Sequence, residues 1–237
     1  MKLTVAQKLA VMISGAVLAL IVVGINGIVQ LRLANEKIQE FNQNTLPSID
    51  VIDEAMTATQ RLRANAQTYV FSDDPAQVAD YEKRTLDYSK KIAEILKRYE
   101  KLVSNETDRE QLEADKAAQS AVHAVVEKIQ EKMHANQRPQ AQAITLNELR
   151  TVTTKLADVL DVHSRYNEKL AEDMHLASER DMARAWKLSV FLMLAGMLIA
   201  VGLGLNFARM LQKQLGGEPN EVAQAARAIA EGDLTVL

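Results

Sequence analysis

The chain has 237 residues, 48% of them hydrophobic and 25% charged, with a formal net charge of −3, 9 Gly, 4 Pro and only 4% aromatics. With no basic surplus, the charge argues against a nucleic-acid partner. The absence of cysteine excludes disulfides, thiolate metal sites and cysteine nucleophiles.

In chain order, residues 1–8 form a short cytoplasmic leader with Lys2 and Lys8. Leu9–Val29 then carries no charge, and Leu188–Phe207 near the other end carries none either. A helix rises about 1.5 Å per residue, so each run can cross a hydrocarbon core of about 30 Å. The first run is longer than a signal-peptide core and lacks a small-x-small cleavage site, so it reads as an uncleaved anchor. Lys2 and Lys8 before the first span, and Arg209 and Lys213 after the second, place both termini in the cytoplasm of an inner membrane. Residues 30–187 are then periplasmic, since long loops cross largely regardless of charge.

This outer segment reads as four helices. The first carries Ile38, Phe41, Thr45, Ile49, Ile52, Met56, Thr59, Arg63, Ala66 and Val70, with Pro47 as a kink point. The second has the clearest seam: Val78, Tyr81, Thr85, Tyr88, Ile92, Ile95, Tyr99 and Leu102, in steps of three and four. Asp73-Asp74-Pro75 caps it. Residues 103–106 start a third helix with Leu112, Val122, Val126, Ile129 and Met133, which Asn136-Gln137-Arg138-Pro139 ends. The fourth holds Leu149, Val152, Leu156, Val159, His163, Tyr166 and Leu170, then runs without Gly or Pro into the second span. The expected fold is all-α: two transmembrane helices flanking an antiparallel up-down four-helix bundle.

Arg63 stands on the apolar row of the first helix, with Arg61 near its edge. A charge there is costly unless paired. Arg63 therefore either snorkels outward or pairs with Asp115 of the third helix, or else it grips an anionic ligand through its forked donors. Counting residues from the two spans puts Asn147, Arg150, Thr151, Thr153 and Thr154 of the fourth helix at a similar height. Hydroxyls and amides beside arginines suit a small carboxylate. Tyr69 and the tyrosines of the second helix read as core. His123, His134, His163 and His175 form no metal-binding pair, and no nucleotide loop or nucleophile motif occurs. The residues thus point to no enzyme, no metal and no cofactor.

After the second span comes LGGEPNEVAQAARAIAEGDL, Leu215–Leu234. Its Gly216-Gly217-Glu218-Pro219 turn, its row Val222, Ala226 and Ile229, and its Gly232-Asp233-Leu234 ending resemble the first half of a HAMP domain. Residues 208–237 are accordingly expected to be a partial HAMP domain. Leu237 would fall in its connector, which makes the chain a fragment without its output domain.

The whole chain resembles the sensory half of a methyl-accepting chemotaxis protein. That resemblance implies a homodimer working with a kinase and its coupling protein. It also implies a small-molecule ligand near the membrane-distal end of the bundle, at the subunit interface. Enteric amino-acid receptors of this family use arginines late in the first periplasmic helix and polar residues early in the fourth. The matching positions here are Arg61 or Arg63, and Asn147 to Thr154. A further arginine one turn later in those receptors is Asn65 or Gln67 here, which turns the expectation from an amino acid to a di- or tricarboxylate, or to no ligand. Two other readings use the same parts: the sensor half of a membrane histidine kinase, and a structural bundle that only dimerises its partners.

Overall fold

The computed structural model of the chain describes residues 5–215 together with Arg227. The expected first HAMP helix lies outside the described residues. Among the described residues there are helices and short connections but no strand.

Helix α1, Val5–Glu40, passes through a π-helical turn, Phe41–Thr45, into α2, Leu46–Phe71. Pro47 sits in the first turn of α2. It has no N–H to give to the carbonyl of residue 43, and its ring crowds that carbonyl. The expected break at Pro47 therefore takes the form of a widened turn rather than a gap.

Helix α3 is Pro75–Tyr99. The Asp74 carboxylate accepts from the Ala76 N–H at 2.9 Å and Pro75 takes the first helical position, as expected of a cap. Helix α4, Glu106–His134, begins where the Asn105 side chain accepts from the Asp108 N–H at 3.0 Å. It ends at Asn136, whose φ of 55° lies in the left-handed region. The Gln137 N–H bonds the Lys132 carbonyl at 2.8 Å and the Asn136 N–H bonds that of Met133 at 3.1 Å, a Schellman closure. Helix α5, Arg138–Ile144, continues through a second π-helical turn, Thr145–Leu149, into α6, Arg150–Leu215.

These residues form two compact units. One comprises Glu36–Ser178, and the other residues 5–35 with 179–215. The first is a four-helix bundle in up-down order, joined by the short connections at 72–74, 100–105 and 135–137. Ile52, Leu62, Ile92, Leu96, Leu112, Ile129, Leu149, Leu156 and Leu160 fill its core. The α3 seam is buried or half-buried along its whole length.

The first bundle helix keeps Thr45, Ile52, Thr59, Ala66 and Val70 of its expected row inside and departs from it at Arg63. Its buried face is Ile52, Ala55, Ala58, Thr59, Leu62, Ala66, Tyr69 and Val70, and Arg63 is exposed. The inward residue is Leu62, 100° round the helix from Arg63. Small alanines with one leucine let α3 approach closely, and burying Leu62 costs nothing where a guanidinium would need a partner. Ile38 and Phe41, also expected inside, are exposed.

In the other unit, two helices are long and apolar enough to cross a membrane. Leu20 and Leu198 each leave 73% of their surface exposed, a burden in water that hydrocarbon removes. The two apolar runs touch through small and polar groups. The Asn26 amide donates to the Ser189 hydroxyl at 3.2 Å. A Cβ at Gly196 would lie 3.8 Å from that of Ala19, so the backbones come close there.

The left-handed turn gives a direct test. Asn136→Ala should destabilise the bundle by about 1 kcal/mol, because alanine lacks asparagine's tolerance of that conformation. Asn136→Gly should leave stability equal or higher. Denaturant unfolding of the two variants checks both.

Candidate functional site

Of the sequence-predicted ligand residues, Arg61, Arg63, Asn147, Arg150, Thr151 and Thr154 lie on exposed faces of the single chain. Arg61 donates from Nη1 to the Tyr88 hydroxyl at 3.2 Å. Among the described residues, Arg63 and Arg150 form no ion pair or hydrogen bond. The Asn147 amide donates to the Ala143 carbonyl at 2.9 Å, and the Thr151 hydroxyl to the Asn147 carbonyl at 2.8 Å. Thr153 is buried and its hydroxyl returns to Leu149 at 2.7 Å. These polar groups thus bond back to their own helix. Thr154 is exposed. No hydrogen bond or ion pair links the arginines of α2 to this group among the described residues.

The pairing of Arg63 with Asp115 does not form. Asp115 is fully buried, and its Oδ2 instead takes His163 Nδ1 at 2.5 Å. His163, on α6, has no exposed side-chain surface. Its other ring nitrogen, Nε2, lies 2.9 Å from Asp108 Oδ1 and 3.0 Å from the Tyr99 hydroxyl. Tyr99 donates to the same Asp108 oxygen at 2.7 Å, and the Asn167 amide donates to the Tyr99 hydroxyl at 2.8 Å. The second Asp108 oxygen accepts from the Ser104 N–H at 2.7 Å and the Ser104 hydroxyl at 3.0 Å. The Tyr99 and His163 rings meet edge to face, with centroids 4.7 Å apart. One atom is left over: Asp115 Oδ1 is buried without a hydrogen-bond partner.

This cluster joins α3 (Tyr99), α4 (Asp108, Asp115) and α6 (His163, Asn167) inside the core. Burial drives the Asp108 carboxyl up, but the bonds from His163, Ser104 and Tyr99 outweigh it and hold the group below the ordinary carboxylate value. Asp115 has fewer donors, so burial prevails and its carboxyl is raised despite His163. Burial lowers His163, yet its bonds to Asp108 and Asp115 and their charges leave the imidazole raised. With both nitrogens protonated, the imidazole donates to Asp108 on one side and to Asp115 on the other. Burial also raises the Tyr99 phenol, helped by its bond to Asp108.

The signal for this cluster lay in the α4 row. Asp108, Leu112, Asp115, Gln119, Val122, Val126 and Ile129 step by three and four, so two carboxylates stand on an apolar seam. His163 is likewise on the seam of α6. Two charges on one row and an imidazole on the facing row are the sequence signature of a buried network. A second, smaller group lies around Tyr69, whose phenol is raised by burial and by the neighbouring Glu82 carboxylate. The nearby Glu82 carboxylate takes His134 at 2.7 Å and Gln130 at 3.1 Å. Among the described residues no group of His, Asp or Glu is arranged to hold a metal ion.

The family described as a four-helix-bundle sensory module for signal transduction matches residues 2–181. The chain belongs to this family. The role of the family is sensory, in signal transduction. A sensory transducer protein of Acetivibrio thermocellus is 26% identical over 163 residues, which is 69% of this chain and 28% of that protein. The chain therefore spans less than a third of that relative's length. No solved structure matches.

Within the sensory module, the His163 cluster should matter for stability in a pH-dependent way. His163 is raised above 6.5, so its contribution is fully present below that value and is lost as the pH rises through the raised one. Asp108 is held below 3.8, so its contribution is present above that value and is lost as the pH falls through the lowered one. Asp115 is raised, so its share fades as the pH climbs from 3.8. The melting temperature should therefore be highest in mildly acidic buffer and fall on the alkaline side. His163→Gln should flatten that fall. His163→Leu, which strands the two carboxylates, should cost about 3–5 kcal/mol in denaturant unfolding at neutral pH.

Proposed function

We propose that the chain is the sensory part of a transmembrane chemotaxis transducer. It holds the bundle in the periplasm, with both termini in the cytoplasm, and works as a homodimer. In this reading a small carboxylate binds between subunits. Arg61 and Arg63 supply charge, and Asn147, Arg150, Thr151 and Thr154 supply donors. The observation that carries the reading is the family match over the bundle, together with two apolar helices able to serve as membrane spans. The name of the Acetivibrio relative agrees with it.

Arg63 and Arg150 support the anionic ligand. Each is an exposed guanidinium with no carboxylate partner among the described residues, and such a fork fits a carboxylate with two parallel bonds. Binding shifts the balance between two packings of the bundle, provided the ligand has unequal affinity for them. The displaced helix is α6, which also holds the second apolar run, and the signal passes from it into the HAMP module. A kinase and its coupling protein receive it.

Isothermal titration calorimetry of the chain in lipid nanodiscs, against a panel of di- and tricarboxylates and amino acids, tests this. A carboxylate should bind, and Arg63→Ala should weaken it at least tenfold, in line with the roughly 1.5–3 kcal/mol of a charged hydrogen bond. The same substitution should change unfolding stability by less than about 0.5 kcal/mol, because the side chain is exposed. A null result across the panel would refute direct ligand sensing, and unchanged affinity in Arg63→Ala would refute the site.

A further inference from the structure

We propose that the buried His163–Asp108–Asp115 cluster is a proton-sensing site, in which the protonation state of His163 sets the hydrogen bonds between α3, α4 and α6 and makes pH a stimulus in its own right. This goes beyond the carboxylate reading and does not depend on it.

Once the cluster loses a proton, no tautomer of His163 keeps all the present bonds. An imidazolium donates from both nitrogens, to Asp115 Oδ2 through Nδ1 and to Asp108 Oδ1 through Nε2. When one proton leaves to water, a single N–H remains. Asp115 has His163 as the partner of Oδ2 and nothing at Oδ1, whereas Asp108 keeps Ser104 and Tyr99. The remaining proton therefore stays on Nδ1, toward Asp115. Nε2 becomes an acceptor, and the Tyr99 hydroxyl, 3.0 Å away, is drawn from Asp108 to the ring. Asp108 loses two donors at once.

One proton thus rewrites bonds that tie α6 to both α3 and α4. Two protonation states with different interhelical bonds are two states a stimulus can bias. His163 lies on α6, the helix that also contains the second apolar run.

Other charges do not blur the titration. The buried residues of α2 are all uncharged, and its Ser48 hydroxyl lies beside Tyr99. From α3 the facing group is Tyr99, and from α4 the two aspartates. Lys116, next to Asp115 in sequence, is taken by Glu100 at 2.8 Å and Glu113 at 2.9 Å. On α6, Asp161 and Arg165 pair with each other at 2.6 Å on the outside.

The test uses the full chain in lipid nanodiscs with ¹⁵N-labelled histidine. Four histidines are present, and the signal missing in His163→Gln identifies the one in question. His163 should deprotonate above the ordinary imidazole value, and Asp115→Asn should lower its midpoint. The chain has no native cysteine, so spin labels at Ser120→Cys on α4 and Glu168→Cys on α6, both exposed, report the interhelical distance by electron resonance. That distance should shift with pH at the His163 midpoint, and the shift should vanish in His163→Gln. A His163 midpoint at or below the ordinary value would overturn the proposal. So would an interhelical distance that stays constant while His163 titrates, a result the unsubstituted histidine gives even if the variants fail to fold.

Discussion

One imidazole inside the bundle reaches two buried aspartates: His163 meets Asp108 through Nε2 and Asp115 through Nδ1. Its two ring nitrogens point in opposite directions, so one side chain serves Asp108 and Asp115 together. The consequence for the fold is register. Aliphatic layers such as Ile92, Leu96, Leu112 and Leu156 tolerate small slips, since one apolar neighbour substitutes for another. The cluster does not. A slip of one turn between α4 and α6 would strand a buried charge, at a cost comparable to much of a domain's net stability. The α3–α4 loop is tied to the same point, because Ser104 bonds Asp108 with both its N–H and its hydroxyl.

Such a cluster is an inefficient way to stabilise a bundle. Well-packed aliphatics of the same volume would hold the helices at least as firmly, without desolvating three ionisable groups. The unpartnered Asp115 Oδ1 makes the arrangement more costly still. A sensory module has a use for that cost. Its task requires two packings close in free energy, and an incompletely satisfied polar core lies nearer to rearrangement than a sealed apolar one.

Much of this architecture was legible in the sequence. The α3 seam, the Asp74-Pro75 cap, the start of α4 after Asn105 and its end at Asn136 all follow from local rules that the tertiary structure does not override. The inward position beside Arg63 is not legible because α2 is rich in small residues. Ile52, Thr59, Ala66 and Val70 of the expected row are inside, but the small Ala55, Ala58 and Ala66 give a weak periodic signal, and nothing in the local pattern sets Leu62 rather than Arg63 as the inward residue between them. The His163 cluster was hidden for a different reason. Reading each helix alone treats Asp108 and Asp115 as interruptions of an apolar row. Their meaning appears only when the row of α6 faces them, a long-range fact that no single-helix period carries.

The exposed arginines and the buried imidazole occupy physically separate parts of the bundle. Arg61, Arg63, Arg150 and Thr154 are at the surface, and none of them shares a hydrogen bond with Tyr99, Asp108, Asp115 or His163. A ligand on the arginines, as proposed, would act by charge at exposed helix faces, where solvent and salt screen it. A proton on His163 acts at the place where three helices are bonded together and screening is weak. An input of the second kind needs no complementary surface and no partner subunit to complete it. It needs only that losing one N–H leaves the two carboxylates unequally served, which the different partners of Asp108 and Asp115 already ensure.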